Sequence, residues 1–271
     1  RSGSLWMATR GWDLLRYEKQ TKTFTQFSYD PRNSETVSSS VINTVFTDRD
    51  GIIWVGTDRA GVNVISNKPF LHLHTLGTSL TLASTIDLVF QDSKGFLWVG
   101  SRGIGLWRYN PNNGTSRCFL PKGAPQGAIE DEEGIIWFAD RYTVLRYDPA
   151  TEVLKTVWEI PTIHRSRNIV TSLMFDRENN LWLGGTNALF RVARDMKQYK
   201  VFLNDPNDNR SITAGYVGTI VQDRSGSIWI GTAFGLNRFE QKTESFMRFP
   251  LDKKDSLNSN VNLWPRLHID S

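Results

Sequence analysis

The sequence of 271 residues contains one cysteine, Cys118, so no disulfide can form within the chain and the lone thiol leaves the compartment open. Histidine is scarce too, with four copies. Two of them, His72 and His74, fall on one face of an expected strand, but no third metal ligand stands near them in sequence, which argues against zinc. A phosphate-cradling glycine loop, a nucleophile motif and a metal signature are all lacking. No catalytic residue, metal ligand or cofactor is therefore assigned, and an enzyme is not expected. No apolar run approaches the roughly 18 residues of a membrane span. The formal net charge of +4 is mild and unclustered, so neither nucleic acid nor direct membrane contact is expected.

What the chain has is a recurring phrase. It reads Gly3-Ser4-Leu5-Trp6, Gly51-Ile52-Ile53-Trp54, Gly95-Phe96-Leu97-Trp98, Gly134-Ile135-Ile136-Trp137, Asn179-Asn180-Leu181-Trp182 and Gly226-Ser227-Ile228-Trp229, with tryptophans 48, 44, 39, 45 and 47 residues apart. Repeats of this period made of strands point to propeller blades. Each copy divides into four short β-favouring runs bounded by Gly, Pro, Asn and Asp; in the second these are 41–47, 52–57, 61–65 and 70–76. The fold class is accordingly all-β, a propeller of four-stranded antiparallel blades within one domain, 1–271. The chain begins and ends within a repeat, and 263–269 could complete the first blade. Six blades in a closed ring, or part of a seven-bladed ring or longer array, both fit.

The repeated positions look structural. Asp48, Asp92, Asp131, Asp176 and Asp223 each stand six residues before a repeated tryptophan, where a side chain can cap the turn. Glycine three residues before the tryptophan, replaced once by Asn179, marks a backbone position with φ > 0. The tryptophans should be largely buried wedges between blades, since single blades cannot bury their own faces. Arg16, Arg108, Arg146, Arg191 and Arg238 recur on the third strand and are expected to hydrogen-bond between blades. Trp107, Trp158 and Trp264 lie off the repeat and could serve packing or contact.

Segments such as 41–56, 86–100 and 217–235, with polar links at 30–34, 204–208 and 251–260, resemble the two-component regulator propeller repeat. The copy containing Phe138-Ala139-Asp140 departs from the usual Val/Ile-Gly-Thr. The resemblance implies a fragment of a larger sensor: the periplasmic, extracytoplasmic part of an inner-membrane hybrid two-component protein that recognises oligosaccharides. Its implied partners are the glycan, a neighbouring propeller and β-sandwich domain of the same protein, a histidine kinase beyond the membrane, and a second copy in a homodimer. A streptogramin-lyase reading, suggested by 134–151 and dependent on His164, stands as the alternative, as does a protein-binding scaffold.

Loops on a rigid scaffold usually carry function. The connections from second to third strand contain Arg10, Arg59, Arg102 and Arg141, each four or five residues after the repeated tryptophan. Guanidinium groups bind carboxylates and sulfates bidentately. Trp12, Tyr142 and Phe234 sit alongside, where aromatic rings could stack on sugars. These seven residues form the expected ligand face, against the alternative that loop arginines are merely solvated. Asn43, Asp87, Gln126 and Thr171, at the mouth ends of the innermost strands, are second-rank candidates.

Overall fold

The computed structural model describes residues 4–250 apart from 9–12, 19, 50, 66–70, 74, 77–79, 82–83, 124 and 166–168. They form two compact units, 1–126 and 127–271. The first contains sheet 1 (Leu5–Ala8, Leu14–Glu18, Thr23–Phe27), sheet 2 (Ile42–Thr47, Ile53–Thr57, Val62–Ile65, Leu71–Leu73) and sheet 3 (Ile86–Gln91, Leu97–Ser101, Gly105–Asn110, Thr115–Leu120). The second contains sheet 4 (Pro125–Glu130, Ile136–Asp140, Thr143–Asp148, Val153–Glu159), whose first strand spans the unit boundary. Sheet 5 (Val170–Phe175, Leu181–Gly185, Ala188–Val192, Tyr199–Leu203) and sheet 6 (Val217–Gln222, Ile228–Thr232, Gly235–Glu240, Ser245–Pro250) follow. Strand order within each sheet follows the chain, and the recorded pairings are antiparallel. The fold is all-β and of the propeller type. Sheet 1 has three strands; the expectation that 263–269 supplies a fourth lies outside the described residues.

Sheets 2 to 6 join their first and second strands by the same device. The Asp92 backbone N–H donates to the Phe96 carbonyl at 3.0 Å, and the Gly95 N–H donates to the Asp92 carbonyl at 3.0 Å, closing a tight turn. Gly51, Gly95, Gly134 and Gly226 have φ between 78° and 89° there, and Asn179 takes the same left-handed conformation at 62°. The aspartate then works twice. Its Oδ1 accepts the backbone N–H four residues on, and its Oδ2 accepts the indole N–H six residues on. The indole bonds are 2.8 Å for Trp54, Trp98, Trp137 and Trp229 and 2.7 Å for Trp182. The spacing of six is thus a hydrogen-bonding distance across a hairpin, a role for the tryptophan beyond wedging.

Burial of the tryptophans is uneven. Trp98, Trp137 and Trp182 are buried, whereas Trp6, Trp54 and Trp229 keep part of their rings exposed. The cores lie between successive sheets of a unit. Between sheets 2 and 3, Val62, Val64, Ile86, Val89 and Val99 pack together. Between sheets 5 and 6, Trp182 packs its ring edge-on against Phe239 at 4.9 Å.

The third-strand arginines correct an expectation. Each lies directly across from the tryptophan of its own blade, Arg108 opposite Trp98 and Arg238 opposite Trp229. The guanidinium carbons of Arg16, Arg108, Arg191 and Arg238 sit 5.6–5.9 Å from those rings. Cross-strand proximity makes the contact a cation–π pair within the blade. Arg191 additionally reaches Glu244 of the next sheet.

The glycine after each second-strand core residue is a matter of space. A Cβ at Gly56 would stand 2.6 Å from the Thr44 side chain and 2.9 Å from Ile86 of the next sheet; at Gly100 it would stand 2.9 Å from the Pro125 carbonyl oxygen. Ala139, which breaks this pattern, is tolerated because Gly127 lies opposite: a Cβ on Gly127 would be 3.7 Å from the Ala139 methyl. Small and larger residue have exchanged strands.

Candidate functional site

Two of the links between blades are pinned by hydrogen bonds. Asp30-Pro31-Arg32-Asn33 and Asp205-Pro206-Asn207-Asp208 fold identically. Asn33 and Asp208 N–H groups donate to the Asp30 and Asp205 carbonyls, and the Thr36 and Ser211 hydroxyls bond back to them. Each link is then locked to its own blade by a fully buried asparagine. Asn63 Oδ1 accepts the Ser38 N–H at 2.8 Å, and Asn237 Oδ1 accepts the Thr213 N–H at 2.9 Å. His72 Nε2 lies 2.5 Å from the Thr36 carbonyl oxygen, a structural contact to the same link. Among the described residues no group of three His, Cys, Asp or Glu is placed to hold a metal.

These locked links abut the loops from second to third strand. The Asp58 N–H donates to the Val41 carbonyl at 3.0 Å, and the Ala233 N–H to the Tyr216 carbonyl at 3.0 Å. The loop residues are therefore displayed on fixed backbone. In the first unit Arg59 is exposed with φ 58°, a left-handed conformation that disfavours an arginine. Its neighbour Asp58 accepts a hydrogen bond from Thr85 Oγ1 at 2.5 Å across the seam between sheets 2 and 3. Arg102, on the sheet 3 loop, donates from Nε and Nη2 to the two oxygens of Asp87 at 3.1 and 3.4 Å.

In the second unit Arg141 is exposed with φ 47°, and its N–H neighbours are tied: Val170 N–H donates to the Arg141 carbonyl. The guanidinium groups of Arg141 and Arg165 lie 5.6 and 5.9 Å from the Tyr142 ring, which is half-buried. Phe234 is 65% exposed. Its ring lies so close to Gly215 that a Cβ there would stand 3.0 Å from it. Neither Arg59 nor Arg141 has an acidic partner among the described residues. Arg10 and Trp12 lie outside the described residues.

Three of the second-rank candidates share a feature sequence could not show. The strand register slips at Asn43, Asp87, Thr171 and Gly218, so each is the extra residue of a β-bulge at the mouth end of an innermost strand. Bulges re-aim side chains. Asp87 thereby meets Arg102, while Thr171 Oγ1 donates inward to the Gly184 or Val217 carbonyl, each 2.9 Å away. Gln126 stands in the first strand of sheet 4. Trp107 and Trp158 are packing residues: Trp107 donates its indole N–H to the Ile104 carbonyl, and Trp158 is buried against Phe190. His164 sets its ring against Phe190 and Tyr199 at 5.9 and 6.4 Å. Trp264 is outside the described residues.

Residues 36–59 and 211–234, which begin just after the two locked links and run through the first two strands of sheets 2 and 6, match the family described as two component regulator propeller. Two segments of the chain are two-component regulator propeller repeats. No curated protein matches it by sequence. Among solved structures, these repeats are similar to one described as the extracellular domain of a hybrid two component system of B. thetaiotaomicron. Identity is 19% and the TM-score 0.70, over 84% of this chain and 30% of that one. PorZ, a surface component of the type-IX secretion system of Porphyromonas gingivalis, matches at 15% identity and TM-score 0.67, over 94% of this chain and 41% of PorZ. Virginiamycin B lyase of Staphylococcus aureus matches at 16% and 0.58, over 78% and 70%. At such identities the likeness speaks to fold. The chain spans 30% and 41% of the first two relatives' lengths. Among the described residues no helix is long and apolar enough to cross a membrane.

Proposed function

We propose that this chain is the ligand-recognising part of a periplasmic sensor, that it takes oligosaccharides, acidic ones included, and that the rest of the protein relays binding to a histidine kinase. The reading makes it a binding domain without turnover of its own. It would work beside a further propeller and a β-sandwich domain, in a protein that dimerises. The family of the repeats and the likeness to the extracellular domain of the B. thetaiotaomicron hybrid two component system support the sensor role. The observation that carries the ligand class is made in each unit separately: Arg59 in the first and Arg141 in the second are exposed. Each is held at positive φ on a fixed loop without an acidic partner among the described residues. Left-handed backbone is unfavourable for arginine, and such outliers cluster where function holds them. The lyase reading ranks behind, because His164 commits its ring to aromatic neighbours.

Calorimetry against a panel of acidic and neutral oligosaccharides tests this. A charge-assisted hydrogen bond contributes about 1.5–3 kcal/mol, so Arg59→Ala or Arg141→Ala should weaken an acidic ligand about tenfold or more. Unchanged affinity in both variants would move the site elsewhere. Arg102→Ala is a poorer probe, since it also strips a charged partner from the buried Asp87 carboxylate.

A further inference from the structure

The seam between sheets 2 and 3 presents two arginines in different electrostatic states. Arg59 has no acidic partner among the described residues, and its guanidinium carries an unopposed charge. Arg102 is held side-on by Asp87, whose side chain is 6% exposed against 57% for the arginine. We infer that Asp87 is a specificity-determining residue of the loop face: by cancelling the charge of Arg102 it suits that guanidinium to neutral vicinal hydroxyls, and it leaves the reading of acidic groups to Arg59. The inference rests on the oligosaccharide reading above and deepens it.

The geometry supplies the argument. A guanidinium has five N–H donors in a fixed fork. Asp87 uses the Nε and Nη2 side, which leaves both Nη1 hydrogens and one Nη2 hydrogen on the exposed end. That end matches two oxygens on adjacent carbons. An anion seated there would feel the Asp87 carboxylate as well as the guanidinium, so its electrostatic gain falls, whereas a diol keeps its hydrogen bonds.

Nor does the fold require a charge at this position. The equivalent bulge residues are Asn43, Thr171 and Gly218, all neutral, and Thr171 closes its seam with hydrogen bonds to backbone carbonyls. A carboxylate on the bulge is thus a local choice, and its visible consequence is a neutralised, oriented Arg102.

The test uses inorganic sulfate as the probe and the side-chain nitrogen signals of the arginines in the intact chain as the readout. In the wild type, sulfate should shift Arg59 while Arg102 responds at least about threefold more weakly, the scale of one exposed ion pair. Asp87→Asn should bring Arg102 up to the response of Arg59 and steepen its salt dependence. Equal response of the two arginines in the wild type would overturn the inference, as would an Asp87→Asn protein in which Arg102 is unmoved. Should that variant not fold, the wild-type comparison decides alone. The sulfate result is independent of the glycan panel: a panel without binders would sink the oligosaccharide reading and leave the charge assignment standing or falling on sulfate.

Discussion

Asp223 shows how much one side chain does in this repeat. The Ser225 hydroxyl, the Trp229 indole N–H and the backbone amides of Ser227 and Ser225 hold its carboxyl down to about 2. A carboxylate depressed in the folded state stabilises the fold fully above the ordinary carboxylate range. That contribution fades as the pH falls toward 2. Trp229→Phe removes one donor and should raise the Asp223 pKa toward its ordinary value, as read by carbon-detected NMR titration; an unmoved pKa would mean the indole bond is not a determinant. The aspartates were legible as turn caps from their spacing. Their bonds to the indoles were not, because the contact depends on a hairpin folding the chain back on itself. Asn63 left a faint signal, a polar residue inside an otherwise apolar third strand, whereas Asn237 shares its strand with Arg238 and Glu240.

At the scale of the blade, close approach between neighbouring sheets governs what the repeat tolerates. Gly100 faces the backbone carbonyl of Pro125, which cannot move aside as a side-chain tip could. Gly100→Ala should therefore destabilise by about 1–3 kcal/mol in denaturant unfolding. Ala139→Gly, facing Gly127, should cost less; a larger loss there would refute the account of their exchange. The first three strands of sheet 2 were legible to within a residue, because short β-favouring runs between turn residues fix them locally, whereas the fourth, read as 70–76, is Leu71–Leu73. The third-strand arginines were read as links between blades, which Arg191 is through Glu244, but their shared contact is with the tryptophan of their own blade. Their position opposite the tryptophan follows from pairing register, and register emerges only when the strands meet. The bulges that aim Asn43, Asp87 and Thr171 escaped the sequence for the same reason.

For the molecule as a whole, the period of the tryptophans was enough to read an all-β propeller, since a repeat of that length must bury its faces against its neighbours. The loop positions of the candidate residues were legible. Arg59, Arg102, Arg141, Tyr142 and Phe234 do occupy second-to-third loops. Sequence could not distinguish an arginine with a buried carboxylate beside it from one without, and that distinction now orders the site. The most direct test of the central claim, recognition on the face of these loops, is hydrogen exchange of the chain with and without saturating amounts of the tightest oligosaccharide from the panel. The account expects slowed exchange at 57–61 and 101–105, with the aspartate turns at 48–52 and 92–96 unchanged. Slowing confined to the aspartate turns would contradict it.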